Sequence, residues 1–243
     1  MSSDNPFNLK LLQAINDWQI KTTTSRGKKL KKLSANLPKE FRKCERVCYR
    51  KLELEKSGVF SLVAKSMLKE KISSWSPSVD VVKKFKFGVS LDIENEQSFI
   101  IRCNPKSSEV ILNLEVVYGS ELFNSAVSQH ENSIKNISKG IRAYGNSQKE
   151  VILEVEHVDQ SHIYMIGGCS SPVSMVYAPQ VFPRLQDGDT VAVYKDYRYF
   201  CIFKWVEPER TGMALARTLQ KSGVIIPYNV FSKKYGLDYG TQN

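Results

Sequence analysis

Gly145-Asn146-Ser147-Gln148-Lys149-Glu150-Val151-Ile152-Leu153 passes from a polar, turn-forming run into an apolar β-branched strand, with a carboxylate at the junction. Gly, Asn and Ser favour turns, whereas Val and Ile suit a pleated, packed surface. Strand side chains alternate with period two, so Val151 and Leu153 are expected on one face, and Gln148 is expected to share the face of Glu150. Glu150 would then stand at the lip of a sheet, half sheltered and open to a cleft. In that position an amide can orient a substrate while a carboxylate carries charge.

Two upstream stretches precede it in order. Cys48-Tyr49-Arg50-Lys51-Leu52 embeds an arginine in an apolar-flanked stretch. Ser73-Ser74-Trp75-Ser76-Pro77-Ser78 is a serine-rich strand end that runs into a helix, with Phe85 nine residues beyond Ser76. Arg, then Ser-x-Ser, then Gln-x-Glu before an apolar strand resembles the mono-ADP-ribosyltransferase superfamily, in its Arg–Ser–Glu branch. The resemblance covers roughly residues 40 to 166. Two serine registers are open, Ser74-Trp75-Ser76 and Ser76-Pro77-Ser78. The pattern also departs from the family. Trp75 stands where a small residue is usual, and Lys51 follows Arg50 where many members have Gly. Glu94-Asn95-Glu96 and Glu154-Val155-Glu156 repeat the Glu-x-Glu spacing, the first in a polar loop and the second late in a strand.

The resemblance implies an α+β fold, specifically a split β-sandwich around an NAD cleft, with N-terminal helices and a small C-terminal α/β extension. It implies NAD as the substrate and no metal. Breaking the glycosidic C–N bond of NAD develops positive charge on the ribose, which a carboxylate beneath the sugar stabilises. That role falls to Glu150. A pyrophosphate is met by a planar, permanently charged fork, which points to Arg50. Ser74 and Ser76 are expected to orient the glutamate and support the cleft, with Phe85 as a further cofactor-binding residue. In the family, Gln at the position of Gln148 goes with acceptors that need no second carboxylate, nucleobases and asparagine side chains among them. Tyr144 lies where the family places an aromatic that touches the acceptor, and its ring could stack on a base.

The rest of the chain bounds these expectations. It has 243 residues and a hydrophobic content of 42%, enough for a sizeable core. No apolar run approaches the ~18 residues of a membrane span, and the N-terminus lacks a basic segment followed by an apolar one, so a cytoplasmic protein with no membrane partner is expected. Five cysteines at 44, 48, 103, 169 and 201 show no paired metal-ligand spacing, and His130, His157 and His162 form no cluster. His157 and His162 are expected at an exposed hairpin turn. Net charge is +10, and residues 21–56 carry 13 Lys/Arg against four Asp/Glu. Such a balance favours anionic partners.

Local pattern supplies the elements. Leu11, Ile15 and Trp18 mark an amphipathic helix over 8–20, and a second helix follows through the basic run Arg26–Lys32. A strand is expected over 46–54, a helix over 59–71, and a strand over 72–76 that leads into a helix opened by Pro77. Further strands fall at 98–103, 109–114, 151–158 and 161–166, with helix within 118–137. Alternating runs at 191–194 and 199–205 read as a hairpin, and 209–222 as a helix closed by Gly223. The expected segments are a basic N-terminal helical segment (1–45), an ADP-ribosyltransferase catalytic core (46–168) and a hairpin-plus-helix extension (169–243). The expected function is transfer of ADP-ribose from NAD to an RNA or DNA base, as a toxin or antiviral effector for which a neutralising antitoxin is a natural partner. A protein side chain as acceptor, or nucleic-acid binding without catalysis, are the alternatives.

Overall fold

The computed structural model describes residues 5–63, 67–91, 96–169, 173–185, 189–193 and 198–221. The fold is α+β. Its helices are α1 (Leu9–Ile20), α2 (Thr24–Ser34), α3 (Lys56–Val63), α4 (Val79–Lys84), α5 (Leu114–Tyr118), α6 (Glu121–His130), α7 (Ile141–Tyr144), α8 (Ala178–Val181) and α9 (Pro208–Lys221). Its strands are β1 (Cys48–Leu54), β2 (Leu68–Lys69), β3 (Ile72–Trp75), β4 (Gln97–Cys103), β5 (Val110–Asn113), β6 (Val151–Glu154), β7 (His157–Val158), β8 (Ile163–Cys169), β9 (Val173–Ser174), β10 (Thr190–Val193) and β11 (Tyr199–Val206). Two compact units emerge, and the chain passes between them more than once: 1–50, 69–81 and 102–157 form the first, and 51–68, 82–101 and 158–243 the second. This discontinuous division cuts across the consecutive segments expected from the sequence.

In the first unit β3, β6 and β5 form an antiparallel sheet in the order β3-β6-β5. Ile72 lies opposite Glu154, Ser74 opposite Ile152, and Trp75 opposite Val151. Val151, Ile152 and Leu153 are all buried, as befits a central strand covered on both faces. α1 begins where Asn8 accepts from the Leu11 N–H at 3.1 Å, which satisfies a first-turn donor. Its apolar stripe brings Leu11, Leu12, Ile15 and Trp18 into one core with Leu30 of α2, Leu112 and Ile152. Asn16, fully buried on α1, donates to the Lys135 carbonyl at 2.9 Å and accepts from the Ile141 N–H at 3.0 Å. A buried amide is tolerable when paired in this way, and it ties α1 to the segment that delivers α7 and the 145–150 turn.

A further sheet, in the order β1-β4-β8-β11-β10 with β9 beside β11, has most of its residues in the second unit. β10 and β11 pair antiparallel, Val191 opposite Ile202, which is the hairpin expected from their alternation; residues 194–197 between them lie outside the described residues. α9 packs on β8, where Thr211 Oγ donates to the Tyr164 carbonyl at 3.3 Å. The end of the expected helix at 222 and Gly223 also lie outside the described residues.

Two expected elements differ. The helix expected over 59–71 occupies Lys56–Val63 instead, and Leu68–Lys69 are strand. The Glu70 N–H there donates to the Glu156 carbonyl at 2.9 Å, so pairing across the chain overrides a locally helical pattern. The strand expected over 151–158 breaks after Glu154 and resumes at His157. Among the described residues no helix is long and apolar enough to cross a membrane.

α2 packs so closely that Gly27 leaves no room for a side chain. A Cβ there would sit 2.8 Å from Ile72 Cγ2 and 3.0 Å from Trp18 Cζ3. Within a helix Gly→Ala ordinarily stabilises by about 1 kcal/mol. Here Gly27→Ala is expected to destabilise by roughly 1–3 kcal/mol through overpacking, read as a lower urea midpoint at unchanged slope. A more stable variant would refute this packing of α2 on β3.

Candidate functional site

Glu150 is the buried centre of a polar cluster in the first unit. It is 6% exposed. Trp18 Nε1 donates to its Oε1 at 2.8 Å, and Ser74 Oγ donates to the same oxygen. Gln19 adds a further side-chain hydrogen bond, and the Tyr118 hydroxyl in turn donates to Gln19 Oε1 at 2.7 Å. Burial pushes the Glu150 carboxyl above its ordinary range; the donors from Ser74, Trp18 and Gln19 and the nearby Arg50 charge pull the other way without cancelling it.

Arg50 reaches the same place from β1. Tyr49 and Ser76 exchange backbone hydrogen bonds at 2.7 and 2.9 Å, which lays β1 alongside the serine stretch. Arg50 Nη1 then donates to the Ser74 carbonyl at 3.0 Å, and Nε lies 3.4 Å from Glu70 Oε2. That separation and geometry give a charge contact without a hydrogen bond, so the buried Nε–H has no hydrogen-bond partner. Glu70 is engaged by Ser73 Oγ, at 2.9 Å, which itself accepts from Trp75 Nε1 at 2.9 Å.

Arg50, Glu70, Ser73 and Ser74, with Thr23 and Thr24 where α2 begins, line a cleft of about 270 Å³. Glu150 stands one hydrogen bond behind Ser74. The sequence expectation of a half-sheltered glutamate at the lip of the sheet is thus corrected: the indole of Trp18 covers the carboxylate, and β6 starts only at Val151.

The other expected site residues fall as follows. Ser76 Oγ donates to the Gln148 carbonyl at 2.9 Å, while Ser78 Oγ accepts from Val81 N–H at 3.5 Å in the first turn of α4. Of the two serine registers, Ser74/Ser76 is therefore the one that touches Glu150 and its turn. Gln148 is half-buried but does not share a strand face with Glu150, because Lys149 between them is left-handed, φ 46°, and closes a turn onto the Asn146 carbonyl. Tyr144 ends α7 and is exposed, with its carbonyl accepting from Ser147. Phe85 belongs to the second unit, where its carbonyl accepts from Lys51 Nζ at 3.2 Å. Glu154 is paired with Lys31 of the basic helix, and Glu94 lies outside the described residues.

Sequence reasoning missed Trp18 as a polar partner, together with Gln19 and Glu70. Trp18 had a signal: a buried indole needs an acceptor for its N–H. Cys44 precedes β1 and Cys48 opens it, with their sulfurs 3.6 Å apart. A hydrogen bond from the Cys48 thiol lowers the Cys44 pKa to about 6 and raises that of Cys48. His157 is exposed, whereas His162 is partly buried and closes a cap with Asp159. Among the described residues no group of His, Cys, Asp and Glu is placed to hold a metal ion.

No family model, no curated protein and no solved structure matches this chain.

A carboxyl whose folded pKa is raised holds its proton more tightly in the folded than in the unfolded chain. Its stabilising effect is complete below the ordinary 4.5 and is lost as pH rises through the raised folded value. Gln at this position keeps the oxygen that takes both the Trp18 and Ser74 bonds and does not ionise. The stability of wild type relative to Glu150→Gln is therefore expected to decline in urea titrations as pH rises above 4.5. A difference that does not vary with pH would remove the buried-carboxyl assignment.

Proposed function

We propose that this chain is an NAD-dependent mono-ADP-ribosyltransferase that modifies a nucleic-acid base. The reading rests on one juxtaposition: Ser74 donates its hydroxyl to Glu150 and offers its carbonyl to Arg50, in the wall of a cleft. Three residue types expected from distant stretches of sequence meet through a single serine. The same placement favours the Arg–Ser–Glu branch and its split β-sandwich as the finer description of the fold.

Each residue then has a task. Arg50, with its Nε–H unbonded to any acceptor, takes the pyrophosphate as a planar fork, which lysine does poorly. Its ion pair with Glu70 and its bond to Ser74 hold it in place before substrate arrives. The cleft volume fits part of a dinucleotide rather than all of it. Glu150 supplies negative charge from one hydrogen bond behind Ser74 as the ribose–nicotinamide bond lengthens, and Ser74 and Trp18 fix the carboxylate's orientation. Preorganised charge of this kind needs no rearrangement at the moment of reaction. Gln148 and Tyr144 lie on the turn leading to Glu150, where an amide and an aromatic ring suit a base edge and a base face. The +10 charge favours a polyanion as acceptor.

The test is incubation with labelled NAD followed by separation of RNA, DNA and protein. Label in nucleic acid is expected; label in protein alone would move the acceptor to a side chain, and no NAD consumption would remove the enzyme. Glu150→Gln is expected to lower the rate at least about 100-fold, the scale of removing one transition-state electrostatic contact. Arg50→Lys is expected to raise KM for NAD about tenfold, since a bidentate charged contact is lost. Because Glu150 acts ionised and its pKa is raised, the acid limb of kcat is expected above 4.5, and a limb at or below that value would detach Glu150 from the chemistry.

A further inference from the structure

The turn after α4 is pinned from beneath and open above. Lys83-Lys84-Phe85-Lys86-Phe87 interleaves cations with aromatic rings. Trp205 Nε1 donates to the Lys83 carbonyl at 3.0 Å, and Lys51 Nζ donates to the Phe85 carbonyl at 3.2 Å. Lys86 Nζ bonds Glu53 at 3.1 Å, and Lys51 reaches the other oxygen of the same carboxylate at 2.8 Å. Val89, buried, closes the far end of the turn against Gly167, where an added Cβ would lie 2.8 Å from Val89 Cγ1. Lys51 and Glu53 of β1, Trp205 of β11 and Gly167 of β8 thus all hold this short segment, and these residues belong to the second unit.

The segment so held displays its rings. Phe87 is 92% exposed and Phe85 46%. Lys86 and Phe87 are both left-handed, φ 51° and 63°, a conformation that is costly for side-chain-bearing residues. Consecutive strained residues that lift a phenyl ring into water are a costly arrangement, and such outliers point towards use. The charge around the rings identifies the occupant. Lys83, Lys84 and Lys86 flank the rings in sequence, and the Glu53 carboxylate pairs with Lys86 and with the buried Lys51.

We propose that Phe87, with Phe85 and the flanking lysines, is a stacking platform for single-stranded nucleic acid. Unpaired bases offer a π-face to the ring and their phosphates meet the lysines, a combination tolerant of sequence and closed to the stacked bases of a duplex. Pinning the turn lowers the ordering cost of binding. The inference rests on the nucleic-acid reading of the acceptor, and it gives that acceptor a form, a single-stranded segment. It also moves Phe85 from the cofactor, to which the resemblance assigns it, to the acceptor.

The experiment omits NAD, so its outcome is separate from that of the transfer assay. Fluorescence anisotropy on the full chain uses a labelled mixed-sequence 20-nucleotide RNA, the matching DNA and the duplex, over a salt series. Single strands are expected to bind more tightly than the duplex. Phe87→Ala is expected to weaken single-strand binding about tenfold, the scale of one lost base stack, and Phe87→Trp to retain it. Phe87→Gly suits the left-handed backbone, so it is expected to melt at or above the wild-type temperature while losing binding as Phe87→Ala does. Lys84→Gln with Lys86→Gln is expected to reduce the single-strand salt slope by about 1.4. Wild-type affinity in Phe87→Ala would overturn the proposal. So would Phe87-dependent binding to phosphatidylserine–phosphatidylcholine vesicles in place of the oligonucleotides, which would assign the turn to a membrane surface.

Discussion

A carboxylate removed from water is costly unless donors surround it, and the first unit is assembled around one such group. Glu150 draws Trp18 and Gln19 from the end of α1 and Ser74 from β3, while its own backbone carbonyl accepts from Leu114 at 2.9 Å. Loss of any one of these donors would leave a buried charge less compensated, so helix and strands are held to a common register by the need to solvate a single side chain. The compensation is incomplete, as the raised pKa records. A group kept in a poor electrostatic environment is one whose charge is strongly felt by whatever approaches it, and stability is the quantity given up in return.

Arg50 is held by the same logic from the wetter side. Its guanidinium lies 3.4 Å from Glu70 and its charge is felt by Glu150, and Ser74 touches both Arg50 and Glu150. One serine is therefore a hinge of information between cleft and core: its carbonyl reports to the cation, its hydroxyl to the buried anion. The β1 contact at Tyr49 and Ser76 makes this possible, since it sets Arg50 beside the serines without bringing Glu150 into the cleft wall.

What the sequence disclosed depended on the range of the interaction. The stripe Leu11, Ile15, Trp18 is visible because helical periodicity is local, and the β10–β11 hairpin because alternation is local too. The association of Arg50, Ser74 and Glu150 came from order and residue type, and spacing alone could not have set their register; antiparallel pairing of β3 with β6 sets it. Trp18 was legible as core but not as a donor to a residue 132 positions away. The 59–71 stretch misled because its helical pattern continues past Val63, whereas the Glu70 backbone is taken up by Glu156. Lys149 misled in another way: one left-handed residue breaks the period-two relation between Gln148 and Glu150 that any strand reading assumes.

That backbone feature connects the two proposed sites. Among the described residues, the left-handed positions not filled by glycine are Lys86, Phe87, Asn136 and Lys149. Asn tolerates this conformation because its short side chain bonds locally. The other positions each cost about 1 kcal/mol or more, a cost that glycine would avoid. One immediately precedes Glu150 and two lie in the aromatic turn. A chain shaped only for stability would place glycine at such positions. Here side chains are kept where the backbone is least willing, beside a buried carboxylate and beneath an exposed ring, which is the distribution expected when strain is retained for the sake of chemistry and recognition.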